Sequence, residues 1–410
     1  MMQTPTPIKR LNYLDVIKVL CLGFVFFFHC FKIFDAKEWH IKNNELLNFD
    51  ANALYVLGMA VMPMFFVISG GSIWISLQKR PAFIFLQNIF KRFFFPLLFG
   101  LTLLAIPQVY FERVNHGEFS GSIIEFIPHY FTGLHGMGGN FAWTGLHLWF
   151  LIMLFFYSIL LLPFFMIGKN LLTKPLFQKT LHHPFVLILF AIVIAAPGYK
   201  LHPNGWMGTM WGGWNIFQDL LFFALGFVLF SNPKFIETCK KYKWIALGLA
   251  ISLTAVSLYW YTGNKVTDFR TPFYTFRLFV KGVACWSWIS AVLGIAAQHF
   301  NSDNSITKYW SRAALPFYIL SQPVIIVIGF YVVQWPLGIW SKFTVVTIAS
   351  FATTILIYEG IKKVSVLRWM FGIPEKKAVS RINQKLGSSK NVIKSFWIKK
   401  GNPKTVKSAT

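Results

Sequence analysis

The chain has 410 residues, 55% of them hydrophobic and only 13% charged, with a mean hydropathy of +0.54. A soluble domain carries about 25% charged residues, so this composition excludes an ordinary soluble fold and points to repeated membrane crossing. The formal net charge of +25 would suit nucleic acid, but the basic residues flank apolar runs. That is the pattern of the positive-inside rule and of contact with anionic headgroups, so the bilayer is the expected partner and nucleic acid is not.

A helical span needs about 20 mainly apolar residues. The sequence offers about ten in chain order: 14–34, 52–77, 93–111, 146–167, 184–198, 215–231, 244–262, 276–297, 314–334 and 339–361. The expected fold is an all-α integral membrane bundle of about ten transmembrane helices, covering 14–361. A cytoplasmic segment 1–13 precedes it and a basic cytoplasmic tail, 362–410, follows. Charge sets the orientation. With both termini inside, the external loops hold only Lys37, Lys42, Arg113, Lys200, Lys265 and Arg270, while most other Lys and Arg lie in internal loops and the tail. N-in, C-in topology follows. The first apolar run is too long for a signal-peptide core and reads as a retained helix. Cys21, Cys30, Cys239 and Cys285 lie in or beside apolar segments without metal spacing and read as small core residues; no metal site is expected.

The first span carries the strongest signal. His29 lies at membrane depth, where a titratable side chain is costly and marks function by default. Asp15 and Lys18 precede it by fourteen and eleven residues, and at about 100° per residue all three fall within roughly 60° of one another. His29 has two readings. It is a packing histidine bonded to a neighbouring helix, or a general base that takes a proton from a hydroxyl attacking an acyl carbon. Asp15 and Lys18 form a structural ion pair or serve the same chemistry. Lys32 reads as snorkelling to the outer surface.

Further along, Met62–Gly71 (MPMFFVISGG) puts Pro63, Ser69, Gly70 and Gly71 inside an apolar stretch, for close helix approach or for a break lining a cavity. Lys79, Arg80, Lys91 and Arg92 bracket a cytoplasmic segment, as a topology signal or as a clamp for the phosphates of a nucleotide-like donor. The external loop 112–145 is the longest, with His116, His129, His135 and a Gly-rich stretch. His147 and Trp149 open the fourth span, Trp149 at a position suited to the aromatic belt. Asp219 is expected to face the bundle interior. Tyr318, Ser321 and Gln322 put polar groups on the ninth span. No Walker A, Rossmann, HExxH or GxSxG pattern is present.

Six stretches in order resemble the membrane-bound acyltransferase family 3, and within it the branch associated with succinylation of periplasmic glucans. They are Leu14-Asp15 with Lys18 and His29, Trp39–Asn43, Met62–Gly70, Lys91-Arg92 with Pro96, Pro107–Arg113, and His147–Leu151. Weaker similarity runs through Tyr318–Pro323. The family usually has Arg where this chain has Lys18, and often His where it has Ser321. The resemblance implies an O-acyltransferase of the inner (cytoplasmic) membrane. Its donor is cytoplasmic acyl-CoA, acetyl or succinyl, with no permanently bound cofactor, and its acceptor is an extracytoplasmic glycan. On that reading His29, Asp15 and Lys18 are catalytic. Lys91, Arg92 and Ser69 hold the donor. Glu112, Arg113, His147, Trp149, Tyr318 and Gln322 bind the acceptor or position its neighbours. A transporter or flippase, and a non-catalytic relative, are the competing readings.

Overall fold

The computed structural model describes residues 11–47, 56–181, 183, 185–202, 213–262 and 269–373. The segment 1–10, the start of the second predicted span at 52–55 and the tail from 374 lie outside the described residues. The described chain is helical: α1 Asn12–Phe31, α2 Val61–Lys79, α3 Ala82–Asn115, α4 Ile123–Tyr130 and α5 Leu146–Leu160. Then come α6 Leu162–Leu172, α7 Pro175–Thr180, α8 Phe185–Lys200, α9 Ile216–Leu229 and α10 Pro233–Thr262. The last are α11 Pro272–His299, α12 Ser305–Val332, α13 Ile339–Ile361 and α14 Ser365–Met370. Among the described residues the β pairing is confined to two isolated bridges, Leu134 to Phe141 and His135 to Gly139.

Among the described residues seven helices (α1, α2, α3, α10, α11, α12 and α13) are long and apolar enough to span a bilayer, and α5 with α6, bent by 62° at a short break, makes an eighth if the pair is one span. The shorter apolar α8 and α9 occupy the two remaining predicted positions. The protein is therefore a multi-pass helical membrane protein. The start of the first span and the end of the last both bond the start of α12. Asp15 near the start of α1 accepts a hydrogen bond from Ser311 on the second turn of α12 (2.8 Å), and Tyr309 on the same turn donates to Glu359 near the end of α13 (2.7 Å).

Lipid tails supply no hydrophobic force between helices, so close approach of small residues matters more than in water. The Met62–Gly71 stretch gives an unbroken helix, and Gly70 and Gly226 meet at the α2–α9 crossing. A Cβ on Gly70 would lie 2.0 Å from the Phe223 carbonyl oxygen, and one on Gly226 2.1 Å from that of Val67. In α3, two five-residue π turns, Phe90–Phe94 and Gly100–Leu104, sit just ahead of Pro96 and Pro107. Those prolines cannot donate to the carbonyl four residues back.

The 112–145 loop, expected to be external, is built rather than open. Ser122 and Glu125 form a capping box that starts α4, and Phe126 and Tyr130 bury its inner face. The Tyr130 hydroxyl donates to the Leu101 carbonyl in the second π turn (2.5 Å) and accepts from the Ala142 amide (3.3 Å). Burial pushes this hydroxyl up to about 12, so it remains a donor.

Gly70→Ala is expected to lower stability by about 1–3 kcal/mol through overpacking against backbone. Gly248→Ala, where nothing lies within 4 Å of the added carbon, leaves it unchanged. Thermal unfolding in nanodiscs reads both; equal melting of the two variants contradicts the close crossing.

Candidate functional site

α1 runs unbroken from Asn12 to Phe31, so Asp15, Lys18 and His29 do share a helix face. The same geometry separates them: at about 1.5 Å per residue, Asp15 and Lys18 lie roughly 21 and 16 Å along the axis from His29. Two polar regions result, one at each end of the bundle.

The first region surrounds the start of α1. Asp15 is buried, 3.9 Å from the Lys18 ammonium. Its carboxylate also acts electrostatically on Arg92 of the first π turn. Lys91 and Arg92 are exposed, and Gly372 packs close to the Arg92 carbonyl. Ser69 sits half-buried on α2, outside this group of charges.

The second region surrounds His29 at the end of α1. The half-buried imidazole stacks on Trp39 (6.2 Å between ring centres, 18° between planes), and its Nδ1 is enclosed without a hydrogen-bond partner. Its electrostatic neighbours, strongest first, are His147, His40 and Lys32. The connection after α1 carries His40 and is pinned by charge. Asp35 is fully buried and takes Lys32 (2.8 Å) and Lys42 (2.9 Å) together. Lys32, expected to snorkel outward, is instead 3% exposed. Burial pushes its ammonium pKa down while Asp35 opposes the shift. The Lys342 ammonium adds a bond to Asn43 (3.0 Å).

Glu112 is the centre of the second region. Its carboxylate is bonded by His40 Nδ1 on one oxygen and by His135 Nε2 (2.8 Å) on the other. Gln108, one turn earlier on α3, donates its amide to the Leu104 carbonyl (3.2 Å), which leaves its own oxygen to accept from Gln322 Nε2 (3.1 Å). The same Gln322 nitrogen meets His40 Nε2 at 3.2 Å. An amide nitrogen only donates, so His40 Nε2 is a lone pair and the ring proton sits on Nδ1, facing Glu112.

His147 is fixed by a different device. Pro323 inside α12 has no N–H for the Ile319 carbonyl four residues back. His147 Nε2 fills that vacancy at 3.1 Å, and a carbonyl can only accept, so Nε2 carries the proton. Tyr318 donates its hydroxyl to the His147 carbonyl. His147 Nδ1 is thus a bare lone pair, buried and without a partner.

The other predicted residues fall elsewhere. Arg113 clamps the Gly-rich stretch, bonding Asn140 (2.8 Å), the Gly139 carbonyl (3.0 Å) and Glu118. That stretch needs its glycines: a Cβ on Gly139 would lie 2.2 Å from the Gly133 backbone. Trp149, placed by sequence at the aromatic belt, is 7% exposed and packs near Phe66 in the core. Ser321 is buried and bonds the Tyr318 carbonyl (3.3 Å). Asp219 faces the interior, at 1% exposure. His40, His135 and Gln108 were not singled out for a role from the sequence. The available signal was the Trp39–Asn43 stretch, which resembles the family's glucan branch and contains His40. Among the described residues no group of three His, Cys, Asp or Glu side chains could hold a metal ion.

The sequence profile of an acyltransferase domain matches residues 11–359. The chain belongs to acyltransferase family 3. It is 23% identical over 405 residues to glucans biosynthesis protein C of Escherichia coli strain SMS-3-5, covering 93% of this chain and 98% of that one. The protein of the same name from strain K12 is 22% identical over 402 residues, with the same coverage of each chain. No solved structure matches. The acyltransferase 3 match spans both polar regions, so the charged start of α1 and the imidazole cluster at its end belong to one family domain.

Asp35→Asn is expected to cost about 3–5 kcal/mol, because it leaves Lys32 and Lys42 without their shared buried anion. Chemical unfolding measures this. A loss below about 1 kcal/mol, the range of exposed pairs, contradicts the buried ion cluster.

Proposed function

We propose that this protein is an O-acyltransferase that moves a short acyl group, acetyl or succinyl, from cytoplasmic acyl-CoA to a hydroxyl of an extracytoplasmic glycan. The observation that carries this reading is the placement of the cationic region and the imidazole cluster at opposite ends of the same helix bundle. The bias of Lys and Arg along the sequence supports an inner position for the Asp15–Arg92 end and an outer one for the His29 end. The name of the relatives, glucans biosynthesis protein C, supports a glucan-type acceptor.

Lys91 and Arg92 then face the phosphates of the donor, with Lys18 and Asp15 holding the charges at that end in register. The donor's flexible arm carries the thioester up the bundle toward His29. The acceptor hydroxyl meets it from the outer side. Neutral His29 removes the hydroxyl proton as the oxygen attacks the thioester carbonyl, and returns it to the departing thiolate. One C–O bond forms, one C–S bond breaks, and the proton moves from oxygen to sulfur. Glu112, Gln322 and Tyr318 position the imidazoles around the acceptor, while Arg113 holds the outer loop over it.

His29→Ala should abolish ester formation, a loss of about 10²–10⁴-fold expected for a general base, while acetyl-CoA or succinyl-CoA still binds. The Lys91→Ala/Arg92→Ala double variant should instead lose donor binding by calorimetry. Ester formed at the wild-type rate by His29→Ala, or glycan flux without new ester, would overturn the reading.

A further inference from the structure

Lys200, which ends α8, and Arg270, just ahead of α11, are exposed cations that pair with no carboxylate among the described residues. The course of α11 fixes their depth. Its last residue is His299, and the Asn12 amide at the start of α1 donates to the Asn301 carbonyl just beyond it (3.5 Å). The start of α11 is therefore at the opposite end of the bundle, with His29. At about 1.5 Å per residue its 28 residues reach roughly 42 Å, against about 30 Å of hydrocarbon and about 40–45 Å with headgroups. Arg270 thus stands at headgroup level.

Arg270 is held in place. Its backbone φ of +64° lies in the left-handed region, uncommon for a residue other than glycine. Nε and one terminal nitrogen donate to the Tyr199 and Lys200 carbonyls at the open end of α8 (3.4 and 3.1 Å). The guanidinium lies 4.8 Å from the centre of the Phe269 ring. A guanidinium has five N–H donors, so the two carbonyls leave most of them over on an exposed residue.

Deeper along the bundle, α8 and α11 leave a groove of about 730 Å³ lined by Ile192, Tyr199, Phe276 and Phe279, with Arg270 at its mouth. Phe276 and Phe279 lie roughly 6 and 10 Å beyond Pro272 along α11, and Ile192 roughly 12 Å before Lys200 along α8. Ile192 and Phe276 are each 52% exposed, so the groove is open. The two helices close again at Gly282, where a Cβ would lie 3.0 Å from the Ala191 carbonyl oxygen.

A cation at headgroup level above apolar walls at hydrocarbon depth fits an amphiphile with an anionic head. We propose that this groove binds an anionic phospholipid, with the phosphate on Arg270 and one acyl chain along Ile192, Phe276 and Phe279. Lys200 adds a second positive charge at the same level. A zwitterionic headgroup would bring its own ammonium against these cations, so the site selects net negative charge. This lipid site stands apart from the transferase reading and holds or fails without it.

The experiment is native mass spectrometry of the full chain in detergent, titrated in turn with dioleoyl phosphatidylglycerol, dioleoyl phosphatidylcholine and glycerol phosphate. One phosphatidylglycerol should bind about fivefold or more tightly than phosphatidylcholine, the effect of one cation near an anionic headgroup. Arg270→Gln should remove that preference. Arg270→Lys lacks the fork but keeps the charge and should retain it, whereas a guanidinium that only caps α8 would make the two variants behave alike. Ile192→Trp fills the groove without changing charge and should weaken binding of both lipids. Lys308→Gln, an exposed cation paired with Asp303, should change nothing. Melting of each variant without added lipid separates lost binding from lost folding. The inference is overturned if no lipid is retained, if the two lipids bind equally, or if Arg270→Gln keeps the preference. It is overturned equally if Ile192→Trp binds as wild type, or if glycerol phosphate binds as tightly as phosphatidylglycerol, which would mean an anion site with no chain in the groove.

Discussion

The carboxylate of Glu112 joins three stretches of chain that are distant in sequence. It stands on α3, takes His40 from the connection after α1, and takes His135 from the Gly-rich part of the 112–145 loop. A carboxylate with 8% exposure is tolerable only where hydrogen bonds replace the water it has lost. Two imidazoles do so here, and each is thereby oriented. The buried Asp35 group and the Arg113 clamp hold the two loops that deliver those imidazoles. Much of the His29 end of the molecule can be understood as the support that one buried anion requires.

The same demand for partners explains the role of the prolines. A soluble helix can leave a freed carbonyl to water. In a membrane bundle another side chain must supply the donor. At Ile319 that side chain is His147, so a backbone irregularity in α12 becomes a constraint on the protonation of an imidazole on another helix. The Leu101 carbonyl in the second π turn of α3 also accepts from a side chain, the Tyr130 hydroxyl, which ties the 112–145 loop to the bundle. Irregular backbone in this fold coincides with the places where a functional element is anchored.

The two polar regions are kept apart by the length of α1 itself. Phe26, Phe317 and Phe351 pack together between the two levels, with ring centres 5.5–5.8 Å apart. The glycine crossing of α2 and α9 keeps the other side of the bundle tight.

Composition and apolar run length by themselves determined that this is a multi-pass helical membrane protein, because about 20 apolar residues have no other stable home than a bilayer-spanning helix. Spacing alone put Asp15, Lys18 and His29 on one face, since an unbroken helix has a fixed angular step. Ordered motifs were enough to indicate the acyltransferase family. Sequence did not place His40 and His135 on Glu112, or Gln322 between His40 and Gln108. Those contacts join residues 23 to 282 positions apart, and nothing in local spacing encodes which loop folds over which helix. It assigned Trp149 to the interface and Lys32 to the surface, where tertiary packing buries both. Above all, only the folded bundle decides which nitrogen of each histidine carries the proton. That choice is made by the partner across the gap, and the partner is known only when the helices have packed.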